Sequence, residues 1–222
     1  MNNTISNIKN IVFDLGGVLM NFDFKGAAEK FIRLGLPVSM PDAVNSQYHD
    51  EAARSKADEA VNTYINGFIS EDQFAALLLP HCKQGVTLQD ITATLYSLDG
   101  EFPPRRAETL RALRNGRKVY LLSNINSHMW QRTLDMLEQQ GLKPEDLFDG
   151  VFLSFQMRMA KPSPDIYQRM IAQTGIAAQE TAYFDDLAEN IAAGTAAGLR
   201  SHLMDSNKLE DCSAYAALLD TI

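Results

Sequence analysis

Three carboxylates, a hydroxyl, an amide and an ammonium each follow closely on a short apolar run of this sequence. Asp14 ends the run at 8–13, and Ser123 and Asn124 follow 119–122. Lys161 comes a few residues after 151–154, and Asp185–Asp186 follow 182–184. Two adjacent carboxylates facing a third repel unless a cation or protons intervene. An oxygen-only donor set of that kind suits Mg2+, which keeps waters and takes few protein ligands. A hydroxyl and a lysine opposite such a cation would cradle a phosphate. Asp14 would then attack phosphorus as a carboxylate, giving an acyl-phosphate that water hydrolyses. The cation and Lys161 would offset charge on the transferring group.

That chemistry needs the residues on one edge, and the pattern of elements supplies it. The run at 8–13 reads as a buried strand closed by a turn at Gly16–Gly17. Further strands are predicted at 119–122, 151–154, 182–184 and 201–204. Helices are predicted at 105–115, 127–140, 164–174, 188–197 and about 208–219. Ser163 and Pro164 read as N-cap and first residue of the third of these. Strands alternating with helices of this length predict a doubly wound parallel α/β sheet, and ligands bind beyond the carboxyl ends of such strands.

Between the first strand and the rest, 24–98 reads as almost wholly helical. Phe24, Ala27, Ala28, Phe31 and Ile32 recur at helical spacing, Ser70 and Gln73 form a capping box, and Thr87 caps a helix carrying Ile91, Leu95 and Leu98. So long and patterned a stretch is not a loop. The expected organisation is an α/β core from 1–20 and 100–222 with a helical cap subdomain over 21–99.

The 222 residues carry 20 basic and 28 acidic side chains, a net charge of −8. That disfavours nucleic acid and anionic membranes as partners. Hydrophobic residues at 45% suffice for a core. Cys82 and Cys212 make neither a disulfide framework nor a zinc pattern. The polar N-terminus lacks a signal-peptide pattern and no apolar run is long enough to span a bilayer, so a cytoplasmic protein is expected.

The order FDLGGV, LLSN, AKPSPDIY, FDDLAEN resembles the four motifs of the haloacid dehalogenase-like hydrolase superfamily. Asp185–Asp186 resembles its DD subgroup with a helical cap after the first motif, and the segment NGFISEDQF resembles a turn between cap helices. The first motif is most similar to sugar phosphatases of the alpha-D-glucose-1-phosphate phosphatase kind. The resemblance implies Asp14 as nucleophile and metal ligand, the Gly16 backbone carbonyl as a second ligand, and Asp185 and Asp186 completing the Mg2+ site. It implies Ser123, the Asn124 backbone and Lys161 as phosphate contacts, Lys161 pairing with the nucleophile too, and Asn190 where many relatives carry a further carboxylate. The substrate would be a small phosphorylated metabolite, with a sugar phosphate as one candidate.

One departure from the pattern matters. Most family phosphatases carry a second Asp, the general acid and base, where this chain has Gly16. Loss of that acid costs about 10²–10⁴ in rate for a poor leaving group. Two alternatives follow: a 2-haloacid dehalogenase, which needs no metal, and a phosphometabolite-binding or regulatory protein with little turnover. Structural readings also stand beside the chemical ones. Asp before Gly favours turns, acids suit helix N-termini, and Ser and Asn favour caps. Asn126 lies near the phosphate loop, His128 and Trp130 follow it, and Tyr48, His49 and Arg54 are candidate cap contacts.

Overall fold

The computed structural model describes residues 7–22, 24–36, 59–96, 100–204 and 212–220. In chain order the strands are β1 (Asn10–Phe13), β2 (Asn21–Phe22), β3 (Gly100–Glu101), β4 (Lys118–Ser123), β5 (Gly150–Leu153), β6 (Thr181–Asp185) and β7 (Arg200–Leu203). The helices are α1 (Phe24–Arg33), α2 (59–65), α3 (Glu71–Leu78), α4 (Leu88–Tyr96), α5 (Pro104–Arg114), α6 (Ser127–Gln139), α7 (Pro144–Leu147), α8 (Ser154–Met157), α9 (Pro164–Thr174), α10 (Ala188–Ala196) and α11 (Ser213–Leu219). The chain divides into two compact units, Met1–Asn21 with Glu101–Ile222, and Phe22–Gly100.

The first unit holds a five-stranded sheet in the order β5–β4–β1–β6–β7, parallel at every pairing. From central β1 the chain steps outward to β4 and β5, then returns to β6 and β7 on the other side. The switch point therefore lies at β1 and β6, where open α/β sheets bind ligands. Alternation along the strands divides the core. On one face Val12, Leu122 and Tyr183 pack with Ile166, Tyr167 and Met170 of α9. Elsewhere in the core Phe13 stacks on Phe184 at 5.2 Å, and Tyr215 of α11 meets both rings edge-on.

In the second unit every described element from α1 to α4 is helical. Its core gathers Phe31, Leu36, Tyr64, Phe74, Leu78, Ile91 and Leu95. Tyr64 stacks on Phe74 at 4.5 Å, with Phe31 edge-on to the same ring. The Ser70–Gln73 capping box closes reciprocally at 3.2 and 2.9 Å, and Thr87 and Asp90 cap α4 in the same way.

The element boundaries depart from the sequence reading in a few places. Ser154 opens the short helix α8 instead of ending β5. Helix α7 was not expected; four residues are too few to show a period. Ser163 occupies the N-cap of α9 but makes no side-chain cap bond. Leu98, residues 208–211, and the cap candidates Tyr48, His49 and Arg54 lie outside the described residues. Among those described, no helix is long and apolar enough to cross a membrane.

Candidate active site

Register sets the site. Phe13 pairs with Leu121 on one side and Phe184 on the other, so Asp14 lies level with Leu122 and Asp185. The Asp14 amide donates to the Phe184 carbonyl at 2.9 Å, extending the ladder one residue past the strand. The chain then closes on itself: the Leu19 and Met20 amides return to the Leu15 carbonyl at 2.8 and 2.7 Å. Leu15, Val18, Leu19 and Met20 are fully buried, which fixes the turn behind Asp14. Gly16 is partly exposed within this loop and bridges Met20.

Lys161 reaches the same point from the loop before α9, its side chain almost wholly buried. Its ammonium lies 2.9 Å from Asp14 Oδ1, 2.7 Å from Asp185 Oδ2 and 2.9 Å from the Leu122 carbonyl, which uses all three N–H donors. Asn124 sets the backbone behind it. Its Nδ2 donates to the Lys161 carbonyl and its Oδ1 accepts from the Lys161 amide, both at 2.8 Å. The Lys161–Pro162 peptide is cis.

Asp185 is fully buried and accepts four hydrogen bonds. Lys161 and the Tyr183 hydroxyl share Oδ2; the Leu187 amide and Asn190 Nδ2 share Oδ1, each at 2.9 Å. Asp186 lies against Gly17, whose φ is +74° and whose missing Cβ would fall on Asp186 Oδ2. Asp14, Asp185 and Asp186 offer carboxylate oxygens within 4.8 Å of one another.

The electrostatics follow from burial and the shortage of positive charge. Burial pushes the Asp14 carboxyl up to about 7; Lys161 pulls against this, while Asp185 and Asp186 add to it. Burial and Asp185 push Asp186 up to about 6. At Asp185 burial also works upward, but Lys161, Tyr183 and the Leu187 amide outweigh it and hold the carboxyl below its usual range. Burial would lower the Lys161 pKa, yet Asp14 and Asp185 win and raise it, so Lys161 is a fixed cation. One ammonium thus faces three carboxyls, two of them held partly protonated near neutrality. A hard divalent cation fits that donor set.

Three further residues singled out in the sequence lie among those described. Ser123 ends β4 with its side chain buried. Asn126 caps α6, its Oδ1 accepting from the Met129 amide at 2.8 Å. Asn190 bonds Asp185. Two polar residues in the site went unread. Ser154 is fully buried, and its hydroxyl binds both the amide and the carbonyl of Ile125 at 2.9 and 3.0 Å, pinning the loop after β4. A serine closing the run 151–154 was the available signal. Tyr183 reads in the sequence as an ordinary strand aromatic.

Residues 8–198 match the profile of haloacid dehalogenase-like hydrolases. The chain is 31% identical over 196 residues to a D-ribitol-5-phosphate phosphatase of Bacteroides thetaiotaomicron, covering 87% of this chain and 90% of that one. It is 27% identical to a phosphatase of Mycobacterium tuberculosis over 96% of this chain and 97% of that one. A solved enzyme of this family from Bacteroides thetaiotaomicron, in complex with magnesium and inorganic phosphate, superimposes with a TM-score of 0.73. It is 28% identical, over 90% of this chain and 95% of that one.

Proposed function

The chain belongs to the haloacid dehalogenase-like hydrolases, and from that premise we propose a Mg2+-dependent phosphomonoesterase that cleaves a small sugar or polyol phosphate through an aspartyl-phosphate on Asp14. The observation that carries this reading is the Lys161 ammonium held between Asp14 and Asp185 at the sheet's switch point. The D-ribitol-5-phosphate phosphatase relative supports the polyol-phosphate class.

In this reading the Asp14 carboxylate attacks phosphorus and the substrate alkoxide departs. Water then cleaves the acyl-phosphate and restores Asp14. Lys161 holds Asp14 as an aimed carboxylate, and its fixed charge offsets that of the transferring group. Ser123 and the loop pinned by Ser154 present donors to those oxygens. Asp14, the Gly16 carbonyl and Asp186 would hold the magnesium ion, which supplies counter-charge to the transferring group. Asp185, its oxygens already bonded, anchors Lys161 from behind. The clustered carboxylates of Asp14, Asp185 and Asp186 favour a metal enzyme over a metal-free dehalogenase. The helical unit acts as the cap that selects substrate and excludes water.

The test is phosphate release from p-nitrophenyl phosphate and a panel of polyol and sugar phosphates, with Mg2+ and with EDTA. Release that requires Mg2+ and disappears in Asp14→Asn is expected. Chloride release from a haloacid in EDTA, or tight phosphate-ester binding without turnover, would replace this reading with the dehalogenase or the binding module.

A further inference from the structure

Tyr183 is a buried phenol inside the charged cluster that the reaction above does not use. Resting on that reading, we propose that Tyr183 is a positioning residue: its hydroxyl holds the Asp185 carboxylate so that Lys161 stays divided between Asp185 and Asp14.

Tyr183 and Asp185 stand two apart on β6, so their side chains leave the same face. The phenol donates to Asp185 Oδ2 at 2.5 Å, the same oxygen that takes Lys161 at 2.7 Å. The two donors share one acceptor, and what one supplies the other need not. Tyr183 meets part of the Asp185 charge without adding a cation. In so dry a place hydrogen bonds of this kind are strong. Without the phenol, Oδ2 would have Lys161 as its sole donor and would draw the ammonium away from Asp14.

The ring is held in place for this task. Tyr167 meets it edge-on at 5.8 Å and 76°, and the Tyr167 hydroxyl donates to the Asn190 carbonyl at 3.1 Å. Across it lies Gly194, inside α10. A Cβ there would sit 2.6 and 2.8 Å from two carbons of the Tyr183 ring. Glycine inside a helix is unfavourable, so the clearance for this ring is kept against helix propensity.

Two replacements test the inference. Tyr183→Phe keeps the ring and removes the donor; 3-fluorotyrosine at 183 keeps the ring and strengthens it. The expected result for Tyr183→Phe is a kcat about tenfold lower with KM within about twofold. In the fluorotyrosine protein kcat should rise. A crystal structure of metal-free Tyr183→Phe should show Lys161 Nζ withdrawn from Asp14 to beyond about 3.5 Å. Retention of the 2.9 Å Lys161–Asp14 pair overturns the inference whatever the kinetics. If Tyr183→Phe does not fold, an unchanged kcat in the fluorotyrosine protein overturns it. Absence of Mg2+-dependent phosphate release by the unaltered protein would instead refute the phosphatase reading, and the Lys161–Asp14 distance would still decide the role of Tyr183.

Discussion

Replacing Asp14, the proposed nucleophile, should make the metal-free protein more stable. Burial carries the Asp14 carboxyl from 3.8 to about 7. Because that pKa is raised on folding, the Asp14 contribution is fully present below the unfolded value and is lost as pH rises through about 7. At about 1.36 kcal/mol per pH unit, holding Asp14 ionised above that point costs about 4 kcal/mol. Asparagine fills the same volume, still accepts from Lys161 through Oδ1, and never ionises. Asp14→Asn should therefore exceed the unaltered protein by about 2–4 kcal/mol at pH 8 in EDTA, a large share of the 5–15 kcal/mol typical of a domain. The gain should be about 2–3 kcal/mol smaller at pH 5, where the unaltered carboxyl is already protonated. The assay is urea unfolding in EDTA at both pH values, with a midpoint shift of roughly 1–2 M expected at pH 8. Mg2+ should stabilise the unaltered protein more than the variant. A variant less stable at pH 8, or a gain equal at both pH values, would refute the electrostatic account of the site.

Four other changes have defined outcomes. Lys161→Met leaves three carboxyls without their ammonium. It should cost about 3–5 kcal/mol in urea unfolding at pH 8 and at least about 10² in kcat. Gly17→Ala forces a Cβ at φ +74° onto Asp186, and isothermal titration should show Mg2+ affinity reduced by about tenfold or more. Asn124→Ala removes both 2.8 Å bonds that set the Lys161 backbone; phosphatase assays should show kcat about 10–100-fold lower, with the chain still folded by circular dichroism. With Gly16 in place of an acid, alkyl phosphates should be cleaved about 10²–10⁴-fold more slowly than p-nitrophenyl phosphate, and Gly16→Asp, at a position whose φ is not in the left-handed region, should narrow that gap.

Much of the site was legible because its residues end strands. Asp14, Ser123 and Asp185–Asp186 each close an apolar run, and a parallel sheet brings such positions to one edge whatever the strand order. The order itself, with β1 between β4 and β6, needed the pairing pattern. The motif pointed to Lys161 and to its pairing with Asp14, but not to its bonds to Asp185 and to the Leu122 carbonyl, which lie on two other strands. Asn124 was expected to offer its backbone to phosphate; the structure shows its side chain spent on Lys161, a bond across 37 residues that local spacing cannot reveal. Ser154 and Tyr183 escaped for a related reason. Each looks like a strand residue; Ser154 bonds Ile125, 29 residues away, and Tyr183 bonds Asp185 on its own strand, where an aromatic two residues from an acid gives no sign of a hydrogen bond. The helical unit was legible through capping boxes and helical spacing, which are local signals.

The charges in the site explain why metal and substrate belong together. Asp14, Asp185 and Asp186 against Lys161 leave two negative charges uncompensated in a largely buried cluster. A phosphate monoester is itself dianionic near neutrality, so it would enter against that field. Protons answer the problem in the metal-free chain, and the raised Asp14 and Asp186 carboxyls are that answer. A protonated Asp14, however, is no nucleophile. A divalent cation held by Asp14 and Asp186, as proposed, would take the place of those protons, leave Asp14 as a carboxylate and supply counter-charge to the incoming phosphate. The stability gained by Asp14→Asn in EDTA and the requirement for Mg2+ in turnover thus measure the same imbalance. A protein that showed the second without the first would be compensating it through a group other than these four.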